Sequence, residues 1–189
     1  MYKIAVVILN YLNYKDTIEC VESMLKMDYP ICGAVIVDNA SRNGSYEILK
    51  RKYENNNQIQ VVANSRNQGY ARGNNLGIKY ARNKWKAEFV LIVNNDTVFI
   101  DEHYITELIR NYQTGVGVIG SKIILNNECE APPFLYYFEF KDLFANYFNM
   151  LSRHLGSCFD FPQNQGKPEK ILHGCALMLT PDFFQKYQG

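Results

Sequence analysis

Four short apolar runs constrain this chain more than any other feature. They are KIAVVIL (3–9), GAVIVDNAS (33–41), IQVVANS (59–65) and AEFVLIVNND (87–96). Each is too short for a packed helix and rich in β-branched residues, and the apolar residues run on rather than alternating. That is the pattern of strands covered on both faces. Between them lie helical stretches. DTIECVESMLKM (16–27) carries Ile18, Val21, Leu25 and, less strictly, Met24 on one stripe, with Asp16 able to cap its start. NGSYEILKRKYENN (43–56) is opened by turn residues and closed by asparagines, and GYARGNNLGIKYARN (69–83) and DEHYITELIRNY (101–112) follow. VGVIGSKII (116–124) reads as one more strand. Strands and helices that alternate with short connections over residues 1–125 predict an α/β fold with a doubly wound, mainly parallel sheet flanked by helices.

That topology says where a ligand would sit, because open sheets of this kind bind in the crevice beyond the carboxyl ends of their strands. Three strands end there in polar residues: Asn10 with Tyr11, Asp38 with Asn39, and Asn94, Asn95 and Asp96. After about residue 126 the rhythm changes. A segment unusually rich in aromatics and broken by Pro132, Pro133, Pro162 and Pro168 is an excursion, with one amphipathic helix expected near KDLFANYFNMLSRHL (141–155). KILHGCALMLT (170–180) then reads as a strand, and PDFFQKYQ begins a helix with Pro181 in its first turn.

Composition narrows the function classes. A formal net charge of +1 gives no global field favouring nucleic acid or an acidic membrane, so any anion must be held locally. No apolar stretch approaches the roughly 18–20 residues that span a bilayer, and the start reads as a first strand rather than a signal peptide. The five cysteines, Cys20, Cys32, Cys129, Cys158 and Cys175, form no CxxC pair. An odd set without that spacing argues against a disulfide framework and a zinc site, and for a reducing cytoplasm.

Individual residues have two readings each. Asp96 could ligate a divalent ion bound to a diphosphate, since Mg2+ takes one or two carboxylates plus phosphate oxygens and water, or it could cap the turn that follows. Asn94 would share its side of the strand if extended geometry persisted. Asp38 could accept from a base N–H or a ribose hydroxyl, or stabilise its own loop. Tyr11 could stack on a base, or pack on the surface. In NQGYARGNNLG (67–77), Asn67, Arg72, Asn74 and Asn75 can bond phosphates or sugar hydroxyls. Gly69, Gly73 and Gly77 keep one helical face bare, for a ligand or for close packing. Neither GxxxxGK[ST] nor GxGxxG is present, so this is no phosphate loop and no dinucleotide fingerprint. His154 and His173 read as structural.

Taken together, VVILNYLNYKDTIECVESML, VIVDNASRNGS, NQGYARGNNLGIKYA and VLIVNNDTVF resemble, in order and spacing, the family 2 glycosyltransferases, and especially their bacterial rhamnosyltransferase-like branch. LHGCALMLTPDFF resembles that family's later strand and helix. The resemblance implies a GT-A nucleotide-diphospho-sugar transferase fold, with residues 1–125 as the nucleotide-sugar-binding half and 126–189 as the start of the acceptor-side half. It further implies inverting sugar transfer from a nucleotide diphosphate, UDP- or dTDP-sugar first, to a carbohydrate, lipid-linked or protein acceptor. The product would be a surface polysaccharide, glycolipid or glycoprotein. Asn10, Tyr11 and Asp38 would contact the nucleoside. Asn67, Gly69, Arg72, Asn74, Asn75, Asn94 and Asn95 would line the donor pocket, and Asp96 would bind Mg2+ or Mn2+. Asn94 stands where the family's metal motif begins with an acid. The family's catalytic base lies in an acidic run just after the helix that PDFFQKYQG begins, so the base is expected beyond Gly189, and this chain is expected to be a truncated catalytic domain. A non-catalytic nucleotide-sugar-binding module is the alternative, and peripheral association with the inner membrane face stays open.

Overall fold

The computed structural model describes residues 1–121, 123–125, 129–131, 134–136, 170–172 and 174–187. Ten strands and five helices lie among them, and they fall into two compact units, one of Met1–Ser121 with Gly174–Gly189 and one of Lys122–His173.

The first unit holds a six-stranded sheet. In chain order its elements are β1 (Ile4–Asn10), α1 (Tyr14–Met24), β2 (Gly33–Asp38), α2 (Ser45–Tyr53), β3 (Ile59–Ala63), α3 (Gly69–Trp85), β4 (Phe89–Asn94), α4 (Tyr104–Arg110), β5 (Val118–Gly120), β10 (Ala176–Leu179) and α5 (Pro181–Lys186). The sheet order is β3-β2-β1-β4-β10-β5, with β3, β2, β1 and β4 mutually parallel and β10 antiparallel to both its neighbours. The mainly parallel sheet is as expected. The placing of a late strand backwards between β4 and β5 is new.

Alternation across the strands explains the unbroken apolar runs. Ile4, Val6, Ile8, Ala34, Ile36, Phe89, Leu91 and Val93 face one way, onto Cys20, Val21 and Met24 of α1, Leu49 and Tyr53 of α2, and Ile105 and Leu108 of α4. Ala5, Val7, Val35, Val37, Val90 and Ile92 face the other way, towards Ala81 and Leu76 of α3 and Phe183 and Phe184 of α5. Both faces are covered, so neither can carry polar residues.

Helix starts follow local chemistry, with one correction. The N-cap of α1 is Asn13 rather than Asp16; its Oδ1 accepts from Asp16 N at 3.4 Å, while its Nδ2 donates to Asp16 Oδ2 at 2.5 Å. Asp16 thus sits in the first turn, where its charge still favours the helix dipole. The start of α2 is as expected, with Gly44 at φ 80° and Asn43 Oδ1 accepting from Ser45 N and Oγ at 3.3 and 2.6 Å. Thr180 caps α5 and Pro181 opens it.

VGVIGSKII is two strands in different sheets, β5 and β6 (Ile123–Leu125). Between them buried Ser121 leaves the ladder to donate from Oγ to Ala176 O at 3.1 Å and to meet the Tyr104 hydroxyl. KILHGCALMLT likewise divides into β9 (Lys170–Leu172) and β10, with a turn at Gly174 and Cys175. The second unit contributes two antiparallel pairs, β6 with β7 (Cys129–Ala131) and β8 (Phe134–Tyr136) with β9. The helix expected over 141–155, with His154 and His173, lies outside the described residues. Among the described residues no helix is long and apolar enough to cross a membrane.

Candidate functional site

The parallel register lines up the strand ends. Asn10 is level with Asp38, Leu9 with Asn94, and Asp38 with Ala63, so the carboxyl ends of β1, β2, β3 and β4 finish at one edge. The turn before β10 arrives at the same edge, where Asn94 N donates to Cys175 O at 2.9 Å.

At the ends of β1 and β2 the polar residues are locked together. Asn10 is fully buried and Asp38 is 1% exposed. Asn10 Nδ2 donates to Asp38 Oδ2 at 2.6 Å and to Ser41 Oγ at 3.3 Å, and its Oδ1 accepts from Thr17 Oγ1 at 2.8 Å. The other carboxylate oxygen of Asp38 accepts from Ser41 N at 2.8 Å. Each of these groups would cost free energy if buried alone, so they occur as a set. The set fixes two loops in unusual conformations, with Leu12 at φ 62° and Ala40 at φ 63°. Ser41 Oγ accepts from Leu12 N at 2.8 Å and Asn43 Nδ2 donates to Leu12 O at 2.7 Å. Left-handed backbone at non-glycine residues persists only where the surroundings over-determine it. Tyr11, 47% exposed, projects from this braced loop.

A second network joins β2, β3 and the start of α3. Asn39 is 3% exposed. It donates to Asn67 Oδ1 at 2.9 Å and Gly69 O at 3.3 Å, and accepts from Asn64 Nδ2 and Gln68 N at 3.0 and 3.1 Å. Asn67 Oδ1 also accepts from Gly69 N at 2.8 Å. Asn67 therefore shapes the entry to α3. Asn39 is placed at the ligand edge by the sequence but given no role there, and Ser41, Asn43 and Asn64 are not singled out; the signal available was an excess of asparagines and serines just beyond strand ends, where their side chains bond local backbone.

The three spaced glycines of α3 serve two purposes. A Cβ on Gly73 would lie 2.5 Å from Leu9 Cδ1, and one on Gly77 2.4 Å from Val7 Cγ1. These two let the helix press onto the sheet. Gly69 has open space around it and φ +77°, so there the left-handed backbone is what requires glycine. Arg72 and Asn75 are exposed on the helix surface. Asn74 is 2% exposed, and among the described residues neither Nδ2 nor Oδ1 has a partner in hydrogen-bond geometry. It lies beside Tyr70, whose hydroxyl donates to Gly174 O at 2.7 Å. A buried amide left unpaired is costly and unusual.

At the end of β4 the extended geometry stops at Asn94. Thr97 N donates back to Asn94 O at 3.3 Å, closing a turn over residues 94–97, so Asn94 and Asp96 are not related by strand alternation. Asn95 turns inward, donating to Asn13 O and Thr17 Oγ1, both at 3.1 Å. Asp96 is exposed, and its carboxylate has no hydrogen-bond partner among the described residues, so it does not cap its turn. Its charge reaches the Cys20 thiol, which burial first and Asp96 second push up to about 12, and Cys175, raised for the same reasons in the same order. Neither thiol ionises at neutral pH.

The donor set limits what metal could be held. Among the described residues there is no group of three His, Cys, Asp or Glu side chains placed to bind an ion. One free carboxylate suits a cation shared with a diphosphate and water, and does not suit one held by protein alone. Asp182 is elsewhere. β10 runs from Ala176 level with Val93 to Leu179 level with Val90, so α5 begins at the opposite edge of the sheet. There Tyr112 Oη donates to Asp182 Oδ2 at 2.5 Å.

A four-stranded parallel core, a reversed strand beside β4, and a polar edge carrying exposed Asp96 form a GT-A nucleotide-diphospho-sugar transferase fold. The profile of glycosyl transferase family 2 matches residues 5–185, and the chain belongs to that family. It is 30% identical over 191 aligned positions to the low-salt glycan biosynthesis hexosyltransferase Agl10 of Haloferax volcanii, covering 97% of this chain and 54% of that one. It is 32% identical over 110 residues to the glycosyltransferase GlyG of Streptococcus pneumoniae, covering 58% and 35%. Among solved structures, the mannosyltransferase PcManGT of Pyrobaculum calidifontis, in complex with GDP-Man and Mn2+, superposes with a TM-score of 0.64 at 18% identity, covering 98% of this chain and 47% of that one. The chain thus spans from about a third to about half of these relatives.

Proposed function

We propose that this chain forms the donor side of an inverting glycosyltransferase, which moves a sugar from a nucleotide diphosphate to an acceptor hydroxyl in surface polysaccharide, glycolipid or glycoprotein synthesis. UDP- and dTDP-sugars are the leading donors, and a carbohydrate, lipid-linked or protein molecule is the acceptor. The observation that carries this reading is Asp96, an exposed carboxylate with no partner among the described residues, at the one edge where the ends of β1, β2 and β4 and the start of α3 converge.

In this reading Tyr11 meets the base, and Asp38 and Asn10 act by bracing the loops at residues 11–12 and 39–43, because neither has surface to offer. Arg72 and Asn75 reach the diphosphate and sugar. The buried amide of Asn74 is the group in this reading that takes a ligand hydroxyl or phosphate oxygen. Asp96, with Asn94 beside it, holds a divalent ion; Mn2+ accompanies GDP-Man in the mannosyltransferase, which supports such a partner here. When bound, that ion offsets charge on the leaving diphosphate. Asp182 is not the acceptor's base in this reading, since it lies at the far edge of the sheet.

Calorimetric titration with UDP, dTDP, GDP and NADH, each with and without Mn2+, tests the proposal. One nucleoside diphosphate is expected to bind, more tightly with metal. Binding of NADH alone, or of no nucleoside diphosphate, would overturn it.

A further inference from the structure

The net charge of +1 conceals a strong asymmetry. Between residues 55 and 87 there are six Lys or Arg residues and no Asp or Glu. Most of this charge is on α3 and its C-cap. Arg72, Lys79, Arg82 and Lys86 are all exposed. The spacings of seven and three residues place Arg72, Lys79 and Arg82 on one line of the helix, opposite the Gly73, Gly77 and Ala81 seam that meets the sheet, and Lys86, at the left-handed C-cap, lines the same groove as Lys79 and Arg82. At 1.5 Å per residue the row is about 21 Å long.

Folding accounts for only part of this row: Arg82 stacks on Phe184, and Arg82 and Lys86 lie at the C-terminal end of α3, where cations favour the helix dipole. None of the four cations takes part in a salt bridge among the described residues. Lys79 and Arg82 are three apart, a spacing at which like charges weaken a helix. A merely solvated face ordinarily interleaves acids at those positions. Helix packing uses the opposite side, and the candidate donor pocket could use Arg72 alone.

Beside the row runs a groove between α3 and α5 of about 660 Å3. Lys79, Arg82 and Lys86 stand on its rim, and Ile78, Pro181 and Phe184 supply its apolar lining. The Arg82 guanidinium lies 4.2 Å from the Phe184 ring centroid, spanning rim and lining. Glu88 is the acid at this groove, and its Oε2 is engaged by Lys3 N at 2.9 Å.

We propose that the outward face of α3, with the α3–α5 groove, is a docking surface for an anionic phospholipid bilayer. The row of exposed cations, none in a salt bridge among the described residues, matches headgroup phosphates. The apolar lining immediately beside it matches the boundary where headgroups meet acyl chains, which a soluble polyanion lacks. α3 begins at the ligand edge beside Asn39 and ends at the opposite edge before β4, so the helix lies along the membrane plane and the pocket opens parallel to it. If the glycosyltransferase reading holds, that orientation presents the donor sugar to an acceptor anchored in the same headgroup layer. The docking itself rests on charge and shape, and stands without that reading.

Vesicle co-sedimentation of the chain tests it. Binding is expected to phosphatidylcholine vesicles containing roughly one-third phosphatidylglycerol and not to pure phosphatidylcholine, and high salt is expected to release it. Replacing Lys79, Arg82 and Lys86 together by Gln, a good helix former, is expected to lower the partition constant on the order of 100-fold, about fivefold per residue. Arg82→Gln alone should give about fivefold. The control replaces Lys50, Arg51 and Lys52 of α2 by Gln, removing the same charge from the other side of the sheet, and should change binding by less than about twofold. Circular dichroism checks that each variant is folded. The proposal is overturned if anionic vesicles are not bound, if the α3 variant binds as well as the parent, or if the α2 variant loses as much. Capture of soluble polyphosphate without vesicle binding would assign the face to a different partner and overturn it equally.

Discussion

Asp38→Asn removes a charge and almost no volume, so its effect isolates the hydrogen bonding at the ends of β1 and β2. The Asp38 carboxylate accepts from Asn10 Nδ2 at 2.6 Å and from Ser41 N at 2.8 Å, with 1% of the residue exposed. In the variant, the amide oxygen can still accept from Ser41 N, and the new NH2 faces the Asn10 NH2. One charge-assisted bond is lost and two buried donors are opposed, a destabilisation of about 2–4 kcal/mol. Exchanging both residues, Asn10→Asp with Asp38→Asn, reverses the donor and acceptor. The carboxylate introduced on β1 would still accept from Thr17 Oγ1, as Asn10 Oδ1 does at 2.8 Å. The double variant should recover at least about 1 kcal/mol relative to the sum of the singles. Urea denaturation followed by circular dichroism measures all four proteins. Strict additivity, or an Asp38→Asn variant within about 0.5 kcal/mol of the parent, would refute the reasoning. Nucleotide titration of the same four proteins separates two roles. If the exchange restores affinity along with stability, Asp38 acts by positioning its loop; if only stability returns, the carboxylate itself meets the ligand.

Asp96→Ala should abolish the Mn2+-dependent part of nucleotide affinity in calorimetry while leaving stability within about 0.5 kcal/mol, because the side chain is exposed and unpartnered among the described residues. Gly77→Ala should destabilise by about 1–3 kcal/mol in the same denaturation assay, since its Cβ would sit 2.4 Å from Val7 Cγ1. On the surface, His103 Nδ1 lies 2.6 Å from Asp28 Oδ2; this contact raises the His103 pKa and lowers that of Asp28. The pair's contribution is therefore fully present between the ordinary carboxylate and imidazole values. It is lost as pH rises through the raised His103 pKa, or falls through the lowered Asp28 pKa. NMR titration should find the His103 midpoint above its ordinary value, and Asp28→Asn should return it towards that value; no movement would remove the pair from the account.

The sequence by itself determined the parallel core, the edge at which strands end, and the residues that gather there. Unbroken apolar runs such as IAVVIL can be satisfied only by burial on both faces, and a sheet covered by helices on both sides leaves its strand ends as the place for Asp38 and Asp96. Local chemistry also fixed the Asn43-Gly44-Ser45 and Pro181 helix starts. What each polar residue does there was decided by the tertiary structure. Asp38 and Asp96 read alike in sequence, each an acid after an apolar run, yet one is sealed by Asn10 and Ser41 and the other is left free. The partner that seals Asp38 from another strand, Asn10, lies 28 residues away in the chain. Gly73 and Gly77 likewise could not be assigned to packing or ligand until Leu9 and Val7 were seen against them. The antiparallel insertion of β10 was hidden for the same reason: a short apolar strand carries its burial in its sequence, but its direction and neighbours are set by contacts with residues far along the chain.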